Sequence, residues 1–254
     1  MNTIDNIIRK YIVDFVTANN NETTKPYIVE NSIPIIWFGN LNAYLNSKER
    51  IVTVGLNPSN NEFPIDKSVK RFEAINLSSE ITDKTIEELK ATLNLYFDTK
   101  PYKWFCSCEK VLNIFNASYY SSKKDMKNKA VHIDIYSAIA TNPTWGHLGK
   151  QIKSQIERTD LFIVLLQFLD PDIILVSTNK TIFNKIFVDN KDVGFRFQLS
   201  GERYDPTVKR FYVRKYNNGK QQLYWITNNR GTAFGPSEKF IRTSVDELSI
   251  EPSL

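Results

Sequence analysis

Hydrophobic and polar positions follow two different periods along this chain. Between residues 4 and 16, Ile4, Ile7, Ile8, Tyr11, Ile12 and Phe15 recur three and four apart, so they share one face of an amphipathic helix. The polar run from Thr17 to Pro26 reads as its exit loop, and PIIWFG (34–39) as a short extended segment. IVTVGL (51–56) is continuous in valine and isoleucine, the pattern of a parallel strand covered on both faces. Helical spacing returns at about 80–97 and 103–116. A lysine-rich loop, SSKKDMKNK, leads into a second strand, VHIDIYSAI. Residues 150–168 read as helix, DIILVS (172–177) as a third strand, and NKTIFNKIF as the helix after it. Beyond Phe195 the texture changes to FRFQL, KRFYVRKY and QQLYWIT, three strand-like runs with aromatic alternation. Asn217, Asn218 and Gly219 supply the positive-φ residues of a hairpin turn between the last two. GPSEKFIRTSVDEL closes the chain as a helix with proline near its start.

Strands separated by helices imply βαβ units. The expected fold is α/β: a three-layer α/β/α sandwich around a mainly parallel four-stranded central sheet, with an added β-hairpin insertion near 195–226. No repeat or break in composition divides it, so one domain is expected over 1–254, with the helical stretch 1–33 as an extension. In such sheets ligands sit beyond the carboxyl ends of the strands. Asn57, Asp134 to Thr141, Ser177 to Asn179 and Asn228 onward are expected to gather at that edge.

Composition narrows the function classes. With 254 residues, 41% hydrophobic and 24% charged, the chain suits a full core and not wholesale disorder. Its net charge of +5 favours polyanionic partners, since cationic patches displace counterions from phosphate. Aromatics at 13% offer base-stacking surfaces, although most belong in a core. Cys106 and Cys108 lie on a helical stretch and point to different faces. Two cysteines and two histidines do not make a four-ligand site, so neither metal nor cofactor is expected, and the thiols read as buried and reduced. The N-terminus carries acids and no apolar block, and no window spans a bilayer. A soluble cytoplasmic protein is the expectation.

Four short motifs now fall into order. GLNP (55–58) ends the first strand, and Asp134 stands in the second, VHIDIYSAIAT. LLQFLDPDIILVSTNKTIF carries the third strand and its helix, and NNRGTAFGPS (228–237) follows the last strand. Together, over roughly residues 34–245, they resemble the uracil-DNA glycosylase superfamily, whose first motif is Gly-x-Asn/Asp-Pro at the tip of the first strand. Two departures stand out. The histidine often found in the last motif is absent, leaving Asn228 or Asn229 to substitute, and the base-selecting position holds aspartate where uracil excision typically uses asparagine. The combination of WFG, GLNPS and HID with NPTW is similar to a bacterial anti-phage branch that removes α-glucosylated hydroxymethylcytosine from phage DNA.

The resemblance implies a chemistry that these side chains suit. Cleaving an N-glycosidic bond passes through an oxocarbenium-like sugar, with water attacking C1′ and the base leaving as an anion. Asn57 orients a water through its carbonyl but does not deprotonate it. Asn228 or Asn229 would donate to the base O2. Asp134, an acceptor while ionised, matches the exocyclic amine of a cytosine-type base; alternatively it is the general base, or a strand-end aspartate capping a turn. Gly55, Leu56 and Pro58 of the first motif and Tyr136 of the second complete the implied base pocket. Phe63 stacks on the flipped base or is a core residue, and Trp145 contacts the substrate or covers the end of the core. His132 shares a strand face with Asp134 and reads as a structural, hydrogen-bonded histidine.

Ser59 and Ser237 would bind phosphate, while Arg230 and Phe234 would clamp and wedge the duplex. No lysine stands at these positions, so a monofunctional enzyme leaving an abasic site is implied. Its partner would be double-stranded DNA with modified bases, approached as a monomer. A uracil or damaged-base repair glycosylase, a non-catalytic modified-DNA reader and a nucleoside hydrolase are the competing expectations.

Overall fold

A computed structural model describes residues 3–64, 70–77, 80–188, 196–206, 211–227 and 238–249. In chain order its helices and strands are α1 (Ile4–Asn20), α2 (Leu41–Leu45), β1 (Ile51–Gly55), α3 (Asp83–Asn94), α4 (Phe105–Ile114), β2 (Ala117–Ser118) and β3 (Asn128–Asp134). There follow α5 (Lys150–Ile156), α6 (Thr159–Leu169), β4 (Ile173–Val176), α7 (Lys180–Phe183), β5 (Gln198–Asp205), β6 (Phe211–Asn218), β7 (Gln221–Thr227) and α8 (Glu238–Ser249).

The strands form one sheet in the order β2-β3-β1-β4-β7-β6-β5. Strands β3, β1, β4 and β7 run parallel, a four-stranded parallel core as expected, with β7 drawn from the segment expected as the added hairpin. The hairpin does not decorate the sheet from outside. β6 pairs antiparallel with β7 and β5 antiparallel with β6, so the same sheet continues to seven strands, with β2 a two-residue edge on the far side. All five residues of β1 are buried, which is why its sequence lacks alternation: it lies between β3 and β4 with both faces covered.

The helices pack in two groups, α1 with α3, α5 and α6, and α4 with α8, giving the α/β sandwich. Helix α1 runs to Asn20, past the expected exit at Thr17, and Thr3 caps its start by accepting from the Asn6 amide. Its Ile7, Ile8, Tyr11 and Ile12 join the main core. The helix expected over 150–168 is broken in two. Arg158 donates its backbone N–H to the Tyr136 carbonyl at 2.6 Å, and its side chain is committed to Asp14 and Asp160, so the chain turns there. The 34–39 segment is extended as expected: Phe38 exchanges backbone hydrogen bonds with His132 at 2.9 and 3.0 Å, and Ile35 donates to Ala138 at 2.8 Å.

Cys108 is buried, and burial pushes its thiol well above the usual range. Cys106 is exposed, which corrects the expectation that both thiols are covered. Their spacing of two turns them to opposite sides of α4. Among the described residues, no helix is long and apolar enough to cross a membrane.

Candidate functional site

The carboxyl ends of β1, β3 and β4 open into a cleft of about 410 Å³, within the usual range for a small-molecule site. Its walls come from four places. Gly55 to Ser59, Asn61 and Glu62 follow β1; His132 and Asp134 stand on β3; Thr144 to Gly146 form a loop; Ser177 follows β4. Phe38, Tyr102, Trp104 and Phe105 supply an aromatic side.

Asn57 is fixed by its neighbours. Its Nδ2 donates to the carbonyls of Pro58 at 2.8 Å and Ile139 at 2.9 Å. Two carbonyls accept only from N–H, so the amide orientation follows from the chemistry of its partners. Both donors are spent, and Oδ1 is buried with no hydrogen-bond partner among the described residues. A buried acceptor left in that state costs free energy, about 1–3 kcal/mol, so the loop holds a hydrogen-bond acceptor ready for something that donates. The loop itself is tied down: Asn60 donates to the Thr141 carbonyl at 3.2 Å, Thr141 to that of Pro58 at 3.3 Å, and Tyr136 to that of Leu56 at 3.0 Å.

The parallel register of β1 and β3 sets the next layer. Thr53 lies opposite His132 and Gly55 opposite Asp134. A Cβ on residue 55 would meet Asp134 Oδ1 at 2.5 Å and His132 Nε2 at 2.7 Å. Glycine is required here by close approach, since both side chains lean over the strand backbone. Asp134 lies with Oδ1 3.5 Å from His132 Nε2, and its side chain is 6% exposed. At His132 Nδ1 the partner is the Thr53 hydroxyl, 2.7 Å away, which also bonds to the Tyr119 hydroxyl.

With the His132 proton on Nε2, that N–H faces Asp134 across 3.5 Å. Nδ1 then accepts from Thr53, and Thr53 from Tyr119. His132 is a hydrogen-bonded, buried histidine, as its strand position suggests, and among the described residues no group of three metal-ligating side chains occurs.

Glu62 is the group that the sequence pattern does not single out. It ends a single 3₁₀ turn, Asn60–Glu62, whose start Ser59 caps by accepting from the Asn61 amide. The residue is 6% exposed and lines the cleft. Its Oε2 accepts from the Tyr96 hydroxyl, which in turn accepts from the Tyr102 amide at 3.0 Å. Burial pushes the Glu62 carboxyl up to about 7, against the lowering effects of the Tyr96 hydrogen bond and the Arg71 charge. Arg71 acts through space, because its guanidinium donates to the carbonyls of Asn61 at 2.6 Å and Lys100 at 2.7 Å.

The cleft therefore brings together Gly55, Leu56, Asn57, Pro58, Ser59, Asp134 and Trp145. Phe63 and Tyr136 are not on its wall. Phe63 stacks on Phe72 with ring centroids 5.4 Å apart, and Tyr136 backs Trp145 at 4.6 Å. Asn228, Asn229, Arg230, Phe234 and Ser237 lie outside the described residues. The aromatic side was not singled out as a pocket wall, because Phe38 sits in a segment that read as extended and Trp104 and Phe105 in one that read as helix. Glu62 had one available signal, an acid five residues past the motif asparagine in an otherwise polar loop.

No family model matches the chain, and no curated protein or solved structure matches it significantly.

Proposed function

We propose that the protein is a monofunctional DNA glycosylase that flips a modified cytosine, in the best case a glucosylated hydroxymethylcytosine of phage DNA, and hydrolyses its N-glycosidic bond. The observation that carries this reading is the Asn57 amide on the cleft wall: both N–H groups are fixed on carbonyls, and its buried Oδ1 has no hydrogen-bond partner among the described residues. A water donating to that oxygen is oriented for attack on C1′ without being deprotonated by it. That suits a reaction in which the sugar cation forms early and the base departs as an anion.

Asp134 supports the cytosine preference. A buried carboxylate accepts from the exocyclic amine of cytosine, whereas uracil and thymine present another acceptor at that position. The aromatic side supplies π-faces for an unstacked base. The positive net charge of +5 suits a phosphate backbone as partner.

The test is base release from duplexes carrying uracil, hypoxanthine, cytosine, hydroxymethylcytosine and both anomers of glucosylated hydroxymethylcytosine, with alkali revealing abasic sites. Release confined to a glucosylated cytosine, and lost by about 10²-fold or more in Asn57→Ala while duplex binding persists, is the expected result. Release of uracil alone would make this a repair enzyme and refute the role given to Asp134. Binding without release from any duplex would make it a reader.

A further inference from the structure

Three candidates lie outside the chemistry already assigned. The shallow surface hollow around Gln167, Asp170 and Lys220 holds an Asp170–Lys220 pair at 2.8 Å and presents nothing unsatisfied. The exposed edge strand β5 is covered in part by α8, and nothing seated on it identifies a partner. Glu62 is different, because it is a buried carboxyl inside the cleft with no ion-pairing cation on it among the described residues.

The glycosylase reading leaves a proton unaccounted for. When water adds to C1′ and the bond from C1′ to the base nitrogen breaks, the bond electrons leave with the base and the oxygen must lose a proton. Asn57 cannot take it, since an amide is not a base near neutral pH. Asp134 lies with Oδ1 3.5 Å from His132 Nε2, and the glycosylase reading gives its oxygens to the exocyclic amine of the base. Glu62 follows Asn57 by one turn of chain, and its Oε2 is held by a tyrosine that has no other use for its proton, because the Tyr102 amide already occupies the oxygen as acceptor. A carboxyl so placed is oriented by Tyr96, largely desolvated, and on a residue that lines the cleft together with Asn57.

We propose that Glu62 is the general base of the cleft, taking the proton from the water that Asn57 orients. This rests on the glycosylase reading of the same site. The step balances: the water oxygen bonds to C1′, the base leaves as an anion, and the released proton ends on a Glu62 oxygen. Groups facing Glu62 tune it from three elements. Tyr96 donates to it, Arg71 favours its charged form, and Asp134 on β3 disfavours it. With the carboxyl poised near 7, both its basic and its acidic forms are populated at neutral pH, as a general base requires.

A binding experiment tests this without requiring turnover. Two duplexes are compared, one with a neutral tetrahydrofuran abasic site and one with a cationic pyrrolidine in its place, which puts a positive charge where the sugar cation develops. At pH 8 the wild-type protein is expected to bind the pyrrolidine duplex about tenfold or more tightly than the neutral one. That preference shrinks at pH 6, as Glu62 protonates, and disappears in Glu62→Gln. Tyr96→Phe keeps the carboxylate but loses its donor, so the preference survives and its pH midpoint moves up; this variant carries the test should Glu62→Gln fold poorly.

On the duplex that the wild type cleaves, Glu62→Gln is expected to lose about 10²- to 10⁴-fold in single-turnover rate. A cation preference that persists unchanged in Glu62→Gln, or that ignores pH, overturns the role of Glu62 alone. Failure to bind either duplex overturns the glycosylase reading and this proposal with it.

Discussion

Replacing Glu62 with glutamine provides a quantitative check on how deeply the cleft desolvates its acid. The carboxyl moves from its ordinary 4.5 to about 7 on folding, with burial the largest cause. Because its affinity for a proton is higher in the native state than in the unfolded chain, the contribution is stabilising when the group is protonated. It is fully present below pH 4.5 and is lost as pH rises through about 7. At about 1.4 kcal/mol per pKa unit, the total swing is about 3 kcal/mol. Most of that swing falls between pH 5 and pH 8.

Glutamine keeps the shape, still accepts from Tyr96 through its carbonyl, and does not titrate. Urea unfolding of wild type and Glu62→Gln at half-unit steps from pH 5 to 8 isolates the effect, since every other titrating group cancels in the difference. The wild type is expected to lose about 2–3 kcal/mol relative to the variant over that range, with the steepest change between pH 5 and 7. Parallel stability curves would mean that water reaches the carboxyl in the native state. A difference running the other way would mean that Tyr96 and Arg71 outweigh burial, and the desolvation argument would be refuted.

Gly55→Ala drives a methyl group into the side chains of Asp134 and His132, so a loss of about 1–3 kcal/mol is expected in thermal or urea unfolding; an alanine variant as stable as wild type would show that these side chains do not lean over β1. With a thiol reagent on the native protein, one equivalent is expected to react fast, at Cys106, and the second only after unfolding. Cys106→Ser abolishes the fast phase, and fast loss of both thiols would contradict the burial of Cys108.

The central layer was legible because β-strand burial writes itself directly into sequence: β1 and β4 are almost wholly apolar runs, and both were placed within a few residues, as was β3 despite its polar residues. The motif asparagine was legible for the same reason, as a polar residue following an apolar strand. What escaped depends on three-dimensional register. Nothing in the order of residues reveals that Gly55 faces Asp134, that Thr53 holds His132, or that Arg158 gives its amide to Tyr136 and splits a helix. Glu62 escaped because the hydroxyl that holds its buried carboxyl belongs to Tyr96, more than thirty residues away in sequence. Phe63 was the more visible choice, being aromatic beside the motif, yet its ring is spent on Phe72.

The Asn57 amide also bears on chemical ageing. An asparagine deamidates when the backbone nitrogen of the next residue attacks the side-chain carbonyl and closes a succinimide ring, and that nitrogen must first shed a proton. Residue 58 is proline, whose nitrogen has no proton to shed. The usual route by which an exposed loop asparagine drifts to aspartate over days is therefore shut. The same change would be ruinous here, because a carboxylate at 57 would set oxygens against the carbonyls of Pro58 and Ile139, where the amide now donates. Pro58 thus keeps the side chain it follows from turning into an acid that the loop has no way to hold.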